Sequence, residues 1–311
     1  MNRANWRVHS ALLFVQVTFG GFHVFGKAIL SYLPPLVVAG IRVATGAPLL
    51  LLLAWHFEHT FPKKRDFPYL ILLGGLGVVA NQLLFIIGLS HTTATNAAIL
   101  MPSIPVFTTA IAAIAGVEKV RPLQVGGIAL ALAGAFVMLD PSQISWEGGK
   151  ATGNILIIMN CIFYAGYLVL QRPVLKRLPP VTVVAWAYFF GMLGVLPFSV
   201  GPLFRLELSQ VPAIAYWGML YIILIPTVLN YFLITWAISH TSPSMVAAYS
   251  LLQPLAAATL AAVFLGESAG WSEAAGFVLI VAGLALVSRQ SSVNAKSQNK
   301  VLTGQPTELE G

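Results

Sequence analysis

Four residues, Gln16, Gly20, His23 and Lys27, stand at i, i+4, i+7 and i+11 within one apolar run. On a helix that spacing gathers them on one face. Asn160, Tyr164, Tyr167 and Gln171 repeat the spacing in a second apolar run. Side chains of these types hydrogen-bond, and polar groups placed in apolar segments turn toward a cavity or a neighbouring helix. Two chemistries fit: recognition of a solute along a polar route, or hydrogen bonds that glue helices together. Further candidates for the route are Asn81 and Gln82, Asn230 beside Thr227, Asn96 and Ser103, and the pair Tyr249 and Gln253, which share a face at i and i+4. Asn81 and Asn230 could each bind a solute or pin a neighbouring helix.

The charges narrow the chemistry. No Asp or Glu lies deep in any apolar run, while Lys27 and Arg42 fall inside the first and second runs. Cations without an acid nearby suit an anionic or zwitterionic solute, held through a carboxylate. Snorkelling to headgroups is the competing reading, easier for Lys27 than for Arg42. His23 is the side chain in this region that titrates near neutral pH, which makes it the candidate for proton coupling. His91 and His240 read as interfacial or capping residues, and Glu118 and Glu267 as loop caps. Catalytic machinery is not evident: the sequence has no H-E-x-x-H, no paired aspartates in an apolar run and no G-x-x-x-x-G-K-[ST]. No cofactor and no metal site are expected, and the lone Cys161 excludes a disulfide within the chain.

These residues sit in elements set by composition. Of 311 residues 58% are hydrophobic and 9% charged, against about 25% charged in a soluble domain. So few charges cannot cover a water-facing surface, so lipid must surround most of the chain. Apolar runs lie at about 9–30, 35–55, 67–88, 94–115, 122–139, 152–170, 180–200, 211–236, 243–264 and 271–288. Each is near the roughly 20 residues that cross a bilayer as helix. Continuous runs, rather than ten-residue alternations, exclude a barrel. The first run is long for a signal core and is read as a retained span. The net charge of +7 does not point to nucleic acid, because the basic residues flank the apolar runs. With the N-terminus inside, thirteen Lys and Arg residues fall on the cytoplasmic side against two, Lys150 and Arg205, outside. Both termini are therefore expected in the cytoplasm of a multi-pass cell-membrane protein.

Self-comparison supplies the most specific signal. At a shift of 149 residues, 14 of the 59 positions over 81–139 are identical. Leu and Ala matches are cheap in such a chain. The scarce residues are not: Asn81 falls on Asn230, Ser90-His91-Thr92 on Ser239-His240-Thr241, Pro105 on Pro254, Glu118 on Glu267, and Gly127 and Gly134 on Gly276 and Gly283. A four-residue gap also brings Pro34-Pro35 onto Pro179-Pro180. Each copy holds five spans, and an odd number inverts the second copy, an architecture that recurs in secondary transporters.

The residues from about 9 to 288 resemble the drug/metabolite transporter superfamily, in its form with two EamA-type domains. Gly20-Gly21 with Lys27, Pro34-Pro35 and Arg42, then Thr95-Asn96-Ala97-Ala98 through Pro105 to Glu118 and Gly127–Gly134, carry the resemblance in the first copy. In the second it rests on Ser244, Gln253-Pro254, Gly266-Glu267 and Gly276 through Ala282-Gly283. The resemblance implies ten helices, with a central pathway lined by helices 1–4 and 6–9 and with helices 5 and 10 outside it. The expected fold is thus an all-α integral membrane protein of ten transmembrane helices in two inverted five-helix repeats, 9–139 and 152–288, with 289–311 a disordered cytoplasmic tail. The expected function is export of small metabolites, amino acids or related anionic and zwitterionic solutes, by alternating access. A channel or a non-transporting scaffold is the alternative, and an intramembrane enzyme ranks below both. Expected partners are a small-molecule solute and the bilayer; a homodimer stays open.

Overall fold

The computed structural model describes residues 3–206, 211–256 and 271–303, and within them every regular element is helical. The helices are α1 (Arg3–Ile29), α2 (Pro35–Phe57), α3 (Lys64–His91), α4 (Ala94–Leu100, Met101–Ser103, Ile104–Ile114), α5 (Pro122–Leu139), α6 (Lys150–Leu175), α7 (Pro180–Phe204) and α8 (Ala213–His240). α9 starts as Pro243–Ala248 with a 3-10 continuation, Tyr249–Leu252, and α10 runs Trp271–Thr303. Seven of them, α2 through α8, are long and apolar enough to cross a membrane. Proline opens α2, α5, α7 and α9, where its missing N–H costs nothing and its φ suits the first turn. α10 continues into the segment read as a disordered tail. Nothing between Arg289 and Thr303 is Pro or Gly, so no residue there stops a helix.

Irregular turns recur at the offset of the sequence repeat. A π-helical turn occupies Gly75–Ala80 in α3 and Ile223–Leu229 in α8. A 3-10 turn occupies Met101–Ser103 in α4 and Tyr249–Leu252 in α9, each just ahead of the matched Pro105 and Pro254. Those prolines cannot donate to the carbonyls four residues back, which tightens the preceding turn. The N-caps match as well: the Thr93 side chain accepts from Asn96 N, and that of Ser242 from Met245 N.

Helix pairs related by that offset pack antiparallel. α5 meets α10 with Gly127 against the Gly283 carbonyl and Gly134 against the Gly276 carbonyl. A Cβ on Gly127 would lie 2.8 Å from Gly283 O, so the backbones touch only because both residues lack one. α2 lies along α7 with Gly40 on Ser199 at one end and Glu58 at the other. The Glu58 carboxylate accepts from Val181 N at 3.0 Å and Thr182 N at 2.7 Å, capping α7 with an anion at its positive end.

Candidate functional site

Seven helices (α1, α2, α3, α4, α6, α8 and α9) surround a cavity of about 690 Å³, including its mouth. α7 stays behind the wall. Its Tyr188 hydroxyl accepts from Gln82 Nε2 at 2.9 Å and thereby fixes the amide of a lining residue.

Arg42, projecting from α2, is 3% exposed and lines this cavity. Its Nε donates to Thr227 Oγ1 at 3.1 Å, and its guanidinium carbon lies 4.8 Å from the centre of the Phe22 ring. Among the described residues no carboxylate pairs with it; the ion pair found there is Arg177–Asp66, elsewhere. The support for Arg42 comes from an irregularity in α8. Pro226 has no N–H for the Ile222 carbonyl, the helix widens there to a π turn, and the Thr227 hydroxyl donates to that same carbonyl at 2.8 Å. Thr227 Oγ1 then presents a lone pair to Arg42 Nε. A helix breaker inside α8 thus creates the acceptor that orients the one cation of the described wall.

Amides and phenols line the rest of the polar wall. Asn160 Nδ2 donates to Asn81 O at 2.7 Å, leaving Asn160 Oδ1 without a partner. Tyr231 OH donates to Asn81 Oδ1 at 2.9 Å, and Gln82 Oε1 has no partner. Phe19, Phe22, Phe85, Met101 and Ile104 also line the cavity, Phe22 directly against Arg42. The cavity therefore offers a cation and amides together with an aromatic and aliphatic surface.

Toward the end where the chain begins, two side-chain pairs bridge α1 and α9. Gln253 Nε2 donates to Gln16 Oε1 at 2.9 Å, joining α9 to α1. Two turns closer to the N-terminus, His9 Nδ1 and the Tyr249 hydroxyl share a hydrogen bond. Beyond them Glu118 accepts from Ser244 N at 3.3 Å, and an Arg172 Nη1 donates to the Thr241 carbonyl. Glu118 thus serves as the loop cap expected of it, while Glu267 lies outside the described residues.

Of the residues singled out from sequence, Gln16, Arg42, Asn81, Gln82, Asn160, Tyr164 and Gln253 come together on the wall. Four others have different surroundings. Tyr167 is fully buried behind Tyr164, against Gly77 of α3. Asn96 joins Thr92, Asn154 and the Ser145 carbonyl at the start of α4. Asn230 exchanges hydrogen bonds with Thr18 at 2.9 and 3.1 Å, pinning α8 to α1. Tyr249 faces His9. The side chains of His23 and Lys27 lie outside the described part of α1. Sequence reasoning missed Tyr231, Phe22 and Phe85. Tyr231 adjoins Asn230, but the π turn of α8 ends at Leu229 and rotates the next helical turn relative to an ideal α-helix.

Apolar helices wrapped around a partly polar cavity are the architecture of a multi-pass membrane protein, and the family match makes it a transporter. The chain belongs to the EamA-like transporter family, whose model matches it twice, over residues 6–140 and 151–289. It is 29% identical to Protein WALLS ARE THIN 1 of Arabidopsis thaliana, over 90% of this chain and 82% of that one. A "Probable amino-acid metabolite efflux pump" of Salmonella typhimurium is 27% identical, covering 88% of this chain and 91% of its own. A "Probable terminal-alkyne amino-acid exporter" of Streptantibioticus cattleyicolor is also 27% identical, covering 91% and 90%. A solved crystal structure shares the fold with a TM-score of 0.73, over 93% of this chain and 98% of that one, at 14% identity.

Proposed function

We propose that this protein is a secondary carrier, most naturally an exporter, of small metabolites that join a carboxylate to an apolar body, amino acids and their relatives among them. Arg42 anchors the carboxylate, the amides of Asn81, Gln82 and Asn160 serve the polar groups beside it, and Phe19, Phe22 and Phe85 cover the apolar part. The observation that carries this reading is the burial of Arg42 in the cavity with a single hydrogen bond to protein. A guanidinium stays charged and has five N–H donors, so four remain for a bidentate anion. The names of the relatives point to amino-acid metabolites independently.

Transport would proceed by alternating access between two inverted units, 9–139 and 152–288, across ten spans. The matched π and 3-10 turns and the antiparallel α2–α7 and α5–α10 pairs support this reading. In the proposed orientation both termini are cytoplasmic and the bridges Gln16–Gln253 and His9–Tyr249 lie toward the cytoplasm. His23 remains the proposed coupling site.

Thermal-shift screening of the purified protein tests the substrate class, with L-phenylalanine, 3-phenylpropionate and phenethylamine as probes sharing one ring. The two carboxylates are expected to raise the melting temperature and phenethylamine to leave it unchanged, with saturable uptake of the stabilising probes in liposomes. Stabilisation by phenethylamine alone would refute the proposal, and unsaturable flux would favour a channel.

A further inference from the structure

All ten acidic residues of the sequence fall outside the apolar runs or within a turn of their ends. Arg42 nevertheless sits 3% exposed among the seven helices of the cavity wall. Its protein partners are a hydroxyl dipole, Thr227, and the face of the Phe22 ring. Neither carries a charge. While the cavity is open, its water would reach the guanidinium only through the small part left exposed, at the four N–H groups that have no protein partner. To pass to the opposite-facing state, the cavity must close over this group and shed that water. A lone ion in a dry, low-dielectric site is strongly disfavoured, whereas an ion paired bidentately with a carboxylate is not. The barrier to switching is therefore higher for the empty protein than for the loaded one.

A carrier that switches loaded but not empty cannot complete a one-way cycle. It must bring a second anion back. We propose that this protein is an exchanger, moving one small carboxylate outward for each carboxylate carried inward, with the uncompensated charge of Arg42 as the block on empty return. The inference rests on the proposed binding of substrate by Arg42 and adds, beside the proton coupling proposed at His23, a second driving gradient, that of the counter-carboxylate.

The cycle conserves charge. Arg42 pairs with a monocarboxylate in each direction, so the exchange of two monocarboxylates moves no net charge. A vesicle that contains no carboxylate should accept almost none.

The test uses the full-length protein in liposomes, with labelled N-acetyl-L-phenylalanine, a carboxylate without an ammonium, outside. The lumen holds either the same compound unlabelled or a bulky sulfonate buffer free of carboxylates and chloride. Scintillation-proximity binding of the same label is measured on the same preparation. Wild-type protein is expected to take up label into carboxylate-loaded vesicles at least about tenfold faster than into sulfonate vesicles, equivalent to a barrier difference of about 1.4 kcal/mol. In Arg42→Gln, which removes the charge and keeps a donor for Thr227, the ratio should fall to about two or less. Arg42→Lys, which keeps the charge, should retain the wild-type ratio despite weaker binding. Equal wild-type uptake into both kinds of vesicle, with binding intact, overturns the exchange mechanism and leaves the carrier reading standing. An unchanged ratio in Arg42→Gln overturns Arg42 as its origin. Absence of both binding and uptake removes the substrate reading, and the exchange mechanism with it.

Discussion

Thr227 supports the Arg42 geometry, and the cost of its removal can be worked from its contacts. Thr227→Val keeps the branched shape, which matters because the side-chain methyl packs 2.9 Å from where a Cβ on Gly46 would stand. What disappears is one oxygen with two roles: it accepts from Arg42 Nε at 3.1 Å and donates to Ile222 O at 2.8 Å. Ile222 O keeps the Thr227 N–H, which the π turn brings to it at i+5, but Arg42 Nε has no obvious replacement, and Thr227 is fully buried. Orphaning a buried polar group costs about 1–3 kcal/mol, and more for a charged one. Thr227→Ser keeps both hydrogen bonds and loses one buried methyl, for about 1 kcal/mol. Wild type should therefore melt highest, Thr227→Ser slightly lower and Thr227→Val clearly lowest. Cys161 is a convenient reporter, being the sole cysteine in the chain and fully buried, so a thiol-reactive dye lights up only on unfolding. Binding of L-phenylalanine should weaken in the same order, about tenfold or more for Thr227→Val, because the guanidinium is no longer held toward the cavity. A Thr227→Val protein that melts with or above Thr227→Ser would refute the claim that Pro226 and Thr227 together build the Arg42 site.

Two other contacts give further expected outcomes. Gly127→Ala drives a methyl into Gly283 O and should lower the melting temperature by an amount equivalent to about 1–3 kcal/mol, whereas Gly126→Ala, with nothing within 4 Å, should be neutral or stabilising; equal melting temperatures would contradict the α5–α10 contact. Gln171 is fully buried on α6 and both its amide atoms lack a partner, so Gln171→Leu should stabilise the present conformation by about 1–3 kcal/mol and slow turnover. A destabilised Gln171→Leu would mean that the amide is satisfied in a way the geometry does not show.

Much of the candidate site was legible in sequence because scarcity did the selecting. In a chain with so few polar residues, Gln16, Arg42, Asn81, Gln82, Asn160, Tyr164 and Gln253 stood out, and all seven meet on one wall. The misjudged facings have different causes. The i, i+4, i+7, i+11 stripe of α6 lies on regular helix, and its third member is spent on packing between helices. Leu168 takes the third place on the wall, at i+8, while Tyr167 turns into the contact with Gly77. In α8 the π turn over Ile223–Leu229 brings Tyr231 to the cavity and turns Asn230 toward Thr18. Phe22 and Phe85 carried no signal at all, since two phenylalanines in an apolar run look like any lipid-facing side chain.

The sequence alone determined residence in the membrane, the helical class, the internal repeat and the isolation of Arg42 from acids. Each of these depends on composition or on residue order along the chain, which needs no knowledge of what touches what. The tertiary structure alone decided which polar groups share a cavity and which are spent on one another. It also made Thr227 the partner of Arg42 across 185 positions of sequence. Those are relations between distant segments, and they depend on side-chain pairings and on turns that depart from ideal helix. No local pattern encodes them.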